Sequence, residues 1–160
     1  MTSGIRATRL VRVACLAVAA GLAVAESMAL TGCARTVSLD AAPDASNPAC
    51  AAVTVRLPDS VDALPRQATN AQSTAAWGDP SVVLLRCGVT PPGPTTLRCV
   101  SISDVDWVID ESNAEFVTAT TYGRDPASEA AIARSHSGAS VVLADLASAM
   151  KNVQAERRCS

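Results

Sequence analysis

Hydrophobic and polar positions follow different periods in different parts of the chain. Val13 to Ala25 is an unbroken run of 13 apolar or small residues, whereas Ala34 to Pro48 has no apolar period. From Ala52 the pattern turns to alternation. Val53, Val55 and Leu57 share one face of a predicted first strand, Ala52 to Leu57, which Pro58 ends. Asp59 to Asn70 has room for one short helical turn, stopped by Pro65, and Trp77-Gly78-Asp79-Pro80 reads as a turn. Ser81 to Val89 is apolar on both faces at Val82 to Leu85, as in a central strand, and Leu97 to Ser103 is expected to return antiparallel to it. A tight turn at Ser103-Asp104 leads into Val105, Trp107 and Ile109 alternating with Asp106, Val108 and Asp110. Phe116 to Tyr122 reads as a further strand. Ser128 to Arg134 is Ala-rich in composition but strand-like in length and context.

The period changes again near the end. Val142, Leu146, Ala149, Met150 and Val153 recur at helical spacing over Ser140 to Val153 and form one apolar stripe. Ser140 is the expected N-cap, and Lys151 suits the negative end of the helix dipole. The predicted fold is α+β: a small antiparallel sheet of about five strands with the C-terminal helix packed on it.

The apolar run at the start is an export signal in this reading. Arg6, Arg9 and Arg12 precede it, and 13 residues suit a signal-peptide core while falling short of a bilayer span of roughly 20. There is no Arg-Arg pair, so the general export route is expected. Leu30-Thr31-Gly32-Cys33 then has the form of a lipobox: an aliphatic residue, two small residues and a cysteine able to accept a lipid. The expected organisation is a lipoprotein-type signal peptide over 1–32, lipidated Cys33 with a flexible linker over 33–48, and one domain over 49–160. As a coil the linker would reach roughly 20 Å and lift the domain off the membrane. Glu26, close to the cut, leaves a second reading open, in which the segment stays uncleaved as a signal anchor.

Cysteine parity supports export. Setting aside Cys15 and Cys33 leaves Cys50, Cys87, Cys99 and Cys159, an even number that implies two disulfides. Between Cys87 and Cys99 lies Thr90-Pro91-Pro92-Gly93-Pro94-Thr95-Thr96, a strong turn signal centred on Gly93. A hairpin about Gly93 would set the two cysteines opposite each other and pair Cys87 with Cys99, leaving Cys50 for Cys159. The spacings contain no CxxC motif, so neither a metal site nor redox chemistry is expected of these thiols.

Composition narrows the function classes. The 160 residues carry 13 basic and 15 acidic side chains, and without Arg6, Arg9, Arg12 and Glu26 the net charge is about −4. That argues against nonspecific nucleic-acid binding, which needs a basic face. Trp77, Trp107, Phe116 and Tyr122 are the whole aromatic complement, so the best core material lies between 77 and 122. His136 is the single histidine and no GxSxG accompanies it, which leaves no basis for a serine-type triad. Asp104, Asp106, Asp110 and Glu111 cluster but lack the glycine of a calcium loop, so a solvated face is the expectation. No cofactor and no metal are expected.

Four stretches together resemble a known family. Ala75-Ala76-Trp77-Gly78-Asp79-Pro80, Leu85-Arg86-Cys87-Gly88-Val89, Val105-Asp106-Trp107 and Thr121-Tyr122-Gly123-Arg124-Asp125-Pro126 are similar to the actinobacterial exported proteins of the domain of unknown function 3515 family. Ser103-Asp104 departs from the Asn-Gly-like turn expected there. The resemblance implies an envelope protein, often lipoprotein-like, and supplies no catalytic residues. The expected function is therefore a non-enzymatic binding or interaction module. Its lipid would hold it on the outer face of the cytoplasmic membrane, where it meets another envelope component or protein. Trp77, Trp107 and Tyr122, with Arg86 and Arg124 as anion partners, form the candidate ligand surface. The alternative is an envelope hydrolase or transferase using Asp79, Asp106 or Asp125, which requires two of these carboxylates to converge in a cleft.

Overall fold

The computed structural model describes residues 35–159. Cys33 and the predicted signal segment lie outside the described residues.

An eight-stranded antiparallel sheet dominates, in place of the five strands expected. In chain order the strands are β1 (Ser60–Val61), β2 (Leu64–Gln67), β3 (Thr74–Trp77), β4 (Val83–Val89), β5 (Arg98–Ile102), β6 (Val105–Asp110), β7 (Phe116–Thr121) and β8 (Ala127–Ala133). Helix α1 (Pro48–Thr54) precedes them and helix α2 (Ala139–Met150) follows. In space the strand order is β1-β2-β3-β4-β8-β7-β6-β5. The chain meanders from β1 to β4, crosses to the far edge, and meanders back until β8 lies beside β4. Both two-residue hairpins, Asp62-Ala63 and Ser103-Asp104, place their central residues at positive φ, between 45° and 63°. That is the mirror-image turn whose twist matches paired strands, reached here without Asn-Gly.

The predicted hairpin about Gly93 does not form. β5 pairs with β6 along its whole length, and β4 pairs with β3 and β8. Three strands separate β4 from β5, a span of roughly 19 Å at the usual strand spacing. The eight residues from Thr90 to Leu97 reach roughly 26 Å when extended, enough to make that crossing.

Helix α1 replaces the predicted first strand. Asn47 caps it, its side chain accepting from the Ala49 amide at 2.9 Å, and Pro48 occupies the first turn, where a missing N–H costs nothing. Cys50, Val53 and Leu57 are buried while Val55 is 77% exposed. The spacing 50, 53, 57 is the helical stripe that the alternation 53, 55, 57 concealed. The short helical turn expected in Asp59 to Asn70 is instead the β1–β2 hairpin. Helix α2 matches its predicted stripe at Val142, Leu146, Ala149 and Met150, all buried; it ends at Met150, so Val153 is buried just beyond it, and its N-cap is Gly138, not Ser140.

Register divides the sheet into two faces. Val83, Leu85 and Cys87 of β4, Ala130 and Ile132 of β8, Ala119 of β7, and Trp107 and Ile109 of β6 point toward the two helices and form the core. Leu84, Arg86, Glu129, Ala131, Thr118, Thr120 and Val108 point the other way, to a face on which, among the described residues, no helix packs. The disulfides follow this division. Cys50 bonds Cys87 on the helix face, and Cys99 bonds Cys159 on the open face. Pairing of Cys87 with Cys99 fails because the two side chains lie on opposite faces with three strands between them. Pairing of Cys50 with Cys159 fails with it.

Residues 35–48 are not a free linker. They form a strap along the open face over β2, β3 and β4. The Val37 amide donates to the Ala68 carbonyl at 2.8 Å, and the Leu39 amide to Asn70 Oδ1 at 2.8 Å. The Asp44 amide donates to the Gly88 carbonyl at 3.0 Å, and Ala42 and Ala45 are buried. Glycine is required at position 88, where φ is +98° and a Cβ would run into the Asp44 backbone.

Candidate functional site

The open face of the sheet is the part of the domain that the helices do not use. Two bodies flank it. The strap lies on one side at Ser38 to Asp40, and the β4–β5 crossing lies on the other at Pro92 to Leu97. Between them are two adjoining hollows of about 300 and 280 Å³ that share Glu129. Their floor comes from alternate residues of neighbouring strands: Leu84 and Arg86 of β4, Glu129 and Ala131 of β8, Thr118 and Thr120 of β7. On β7 and β8 these positions share the open face because they alternate with the buried Ala119, Thr121, Ser128 and Ala130. Arg86 Nε donates to Glu129 Oε1 at 2.8 Å and holds that carboxylate across the β4–β8 ladder. Asp110, at the far end of the floor, accepts from the Ser112 amide at 2.8 Å. Hydrogen bonds from the Ser112 side chain and backbone hold its carboxyl below the usual range. The trough thus offers hydroxyls, a fixed carboxylate and small apolar patches. This set suits hydrogen bonding to a ligand rich in hydroxyl or amide groups.

The predicted ligand surface is not assembled. Trp77 and Trp107 are fully buried in the core on the helix face. Tyr122 is half-buried at the end of β7, beneath the Arg157 guanidinium, 5.9 Å from the ring centroid. Arg124 is 4% exposed and donates to the Val153 carbonyl. Burial lowers its pKa from the usual arginine value, the charge of Arg158 lowers it further, and Asp106 partly offsets both. Of the five residues, only Arg86 belongs to the trough.

The predicted carboxylates do not converge either. Asp79 lies in the β3–β4 turn, beside the Val83–Ile132 end of the ladder, and Asp125 in the β7–β8 loop, at the Val89–Ala127 end. Seven-residue strands hold those ends roughly 20 Å apart. Asp106 is 4% exposed, not part of a solvated face, and accepts from the Cys159 amide at 2.8 Å. The rest of the acidic cluster is dispersed: Asp104 pairs with Lys151 at 3.2 Å, and Glu111 with Arg98 at 3.1 Å. His136 is only 19% exposed, and its Nε2 sits 2.9 Å from Asp62 Oδ2 without an aligned N–H. Among the described residues, no group of three or more His, Cys, Asp or Glu is placed to hold a metal ion.

What Asp106 and Arg124 do hold is the C-terminal tail. After α2 the chain rounds the end of the sheet. The Glu156 amide donates to the Gly123 carbonyl at 2.7 Å, the Arg158 guanidinium to the Asp104 carbonyl at 3.1 Å, and Cys159 closes onto Cys99. Gly123 has φ +69°, and a Cβ there would overlap the Arg157 backbone. Gly123→Ala is therefore expected to detach residues 155–159 while leaving the sheet intact, through strain of about 1–3 kcal/mol. Hydrogen exchange checks it: the Glu156 amide loses protection and the β4 and β8 amides keep theirs.

A family model described as "Protein of unknown function (DUF3515)" matches residues 10–159. Neither a curated protein nor a solved structure matches the chain.

Proposed function

The chain belongs to this family of proteins of unknown function, DUF3515, and from that premise we propose that it is an exported, lipid-anchored envelope protein with a non-enzymatic binding domain. In this reading Cys33 carries the lipid, the domain stands outside the cytoplasmic membrane, and the trough takes another envelope component. The observation that carries the proposal is the closure of Cys50, Cys87, Cys99 and Cys159 into two disulfides. Such bonds persist in oxidising compartments, and they leave Cys33 outside the pairing. The basic, apolar start and the lipobox agree with it. Among the described residues no helix is long and apolar enough to cross a membrane; in this reading the lipid on Cys33 supplies the anchor. Binding is favoured over hydrolysis because the carboxylates of the trough already have partners, Glu129 in Arg86 and Asp110 in Ser112, while Asp40 stands on the strap side.

Intact mass of the protein recovered from its native membrane tests the anchor. The expected species begins at Cys33, carries a diacylglyceryl group, and is four hydrogens lighter than the reduced chain. A species beginning at Met1 without lipid overturns the proposal. For the trough, envelope saccharide and peptide fractions are titrated into isotope-labelled protein. Amide shifts are expected at Thr118, Thr120, Glu129 and Ala131. Shifts confined to α1 and α2 would place binding elsewhere.

A further inference from the structure

The strap turns the anchor into an orientation. It is pinned along its length. Val37 is fixed to the β2–β3 connection through the Ala68 carbonyl and the Asn70 amide, Ser38 and Leu39 bond the Asn70 side chain, and the Ala45 carbonyl accepts from Ser73 Oγ at 2.6 Å. Its first described residues, Arg35 and Thr36, lie beside Gln67 and the Gly78–Ser81 turn, where they line a hollow of about 260 Å³. Four peptide units separate position 33 from Val37, the first residue that strap bonds hold, a reach of at most roughly 14 Å. A lipid on Cys33 therefore has less slack than one strand length, and Arg35 and Thr36 lead it toward the Gly78–Ser81 end of the sheet. The opposite end, with the Ser103-Asp104 turn, the Gly123 loop and residues 156–159, is about one strand length away, roughly 20 Å for the seven residues of β8.

We infer that the Gly78–Ser81 end of the sheet docks against the lipid headgroup layer, with the strands standing up from the bilayer and the disulfide-closed Cys99–Cys159 end presented outward. The occupant of this end is the membrane surface, chosen by the length of chain between the anchor and the first pinned residue. The trough then opens sideways, along the membrane plane, and is accessible to components lying on or parallel to that surface. This inference rests on the proposed lipid at Cys33.

Photocrosslinking in native membrane vesicles tests it on the full chain. A benzophenone amino acid is placed at exposed Asp79, near the docking end, or at exposed Glu156, at the far end. After irradiation, lipid adducts are measured by mass, and the same spectra report whether Cys33 is acylated. The expected result is acylated Cys33 with several-fold more lipid adduct from position 79 than from position 156. Inserting about twenty Gly and Ser residues after Arg35, which adds a coil reach of roughly 25 Å, is expected to erase that difference. Acylated protein with equal adducts, or more at 156, overturns the orientation and leaves the anchor standing. Protein without acyl on Cys33 overturns the anchor reading and the orientation with it.

Discussion

Trp107→Ala is expected to cost about 3–5 kcal/mol of stability, the usual range for removing a buried indole. Trp107 is fully buried in β6, between Val100 of β5 and Thr121 of β7, so it joins the far half of the sheet to the core. A domain of this size has a total stability of about 5–15 kcal/mol, so the variant sits near its unfolding threshold at 37 °C. The conservative change separates two contributions. Trp107 Nε1 is buried and has no hydrogen-bond partner among the described residues, whereas Trp77 Nε1 donates to the Pro58 carbonyl at 3.2 Å. Replacing Trp107 by Phe loses volume but also removes an unsatisfied donor, which offsets about 1–3 kcal/mol. Replacing Trp77 by Phe loses volume and a bond together. Urea unfolding followed by far-ultraviolet dichroism should rank Trp107→Phe as the milder of the two. The reverse order would mean that Trp107 Nε1 is satisfied, for example by an internal water.

That difference between the two tryptophans was not legible in the sequence, which marked both as either core or ligand surface. Elements whose own period decides them were legible. α2 follows from Val142, Leu146 and Met150, and β6 from Val105, Trp107 and Ile109, because each buries one regular face. Elements built from small or imino residues were not. β2 is Leu-Pro-Arg-Gln and β3 is Thr-Ala-Ala-Trp, and neither carries a β-branched alternation. In the first helix two periods overlap on Val53 and Leu57, and the Asn47-Pro48 cap was the signal that could have decided between them. Strand order was hidden for a different reason. Nothing local in Thr90 to Leu97 says whether it turns back or crosses four strand positions, so the disulfide count could be read and the pairing could not. The trough shares that limit. Thr118, Thr120, Glu129 and Ala131 alternate with buried neighbours, a pattern visible in Phe116 to Ala133. Their juxtaposition with Arg86 and the strap depends on β8 returning beside β4.

The same return of the chain sets the second large effect. Removing Cys50–Cys87 by a double alanine substitution is expected to cost about 2–5 kcal/mol and to lower cooperativity at the α1 end. In the chain-entropy model, the 37- and 60-residue separations of the two disulfides each give about 4 kcal/mol, so loop length does not distinguish them. Position does. Cys50 and Cys87 are fully buried and tie α1 to the centre of β4, so their loss also opens a cavity in the core. Cys99 lies on the edge strand and Cys159 in the tail; both are half-buried, and the tail has other holds at Gly123 and Asp106. Mild reduction is therefore expected to open Cys99–Cys159 first, freeing residues 155–159, while α1 stays docked on a folded sheet. Peptide mapping after graded reduction and alkylation checks both parts. Alkylated Cys99 and Cys159 should appear together, well before Cys50 and Cys87. A peptide in which Cys87 is bonded to Cys99 would overturn the strand order itself, because it requires β4 and β5 to be neighbours.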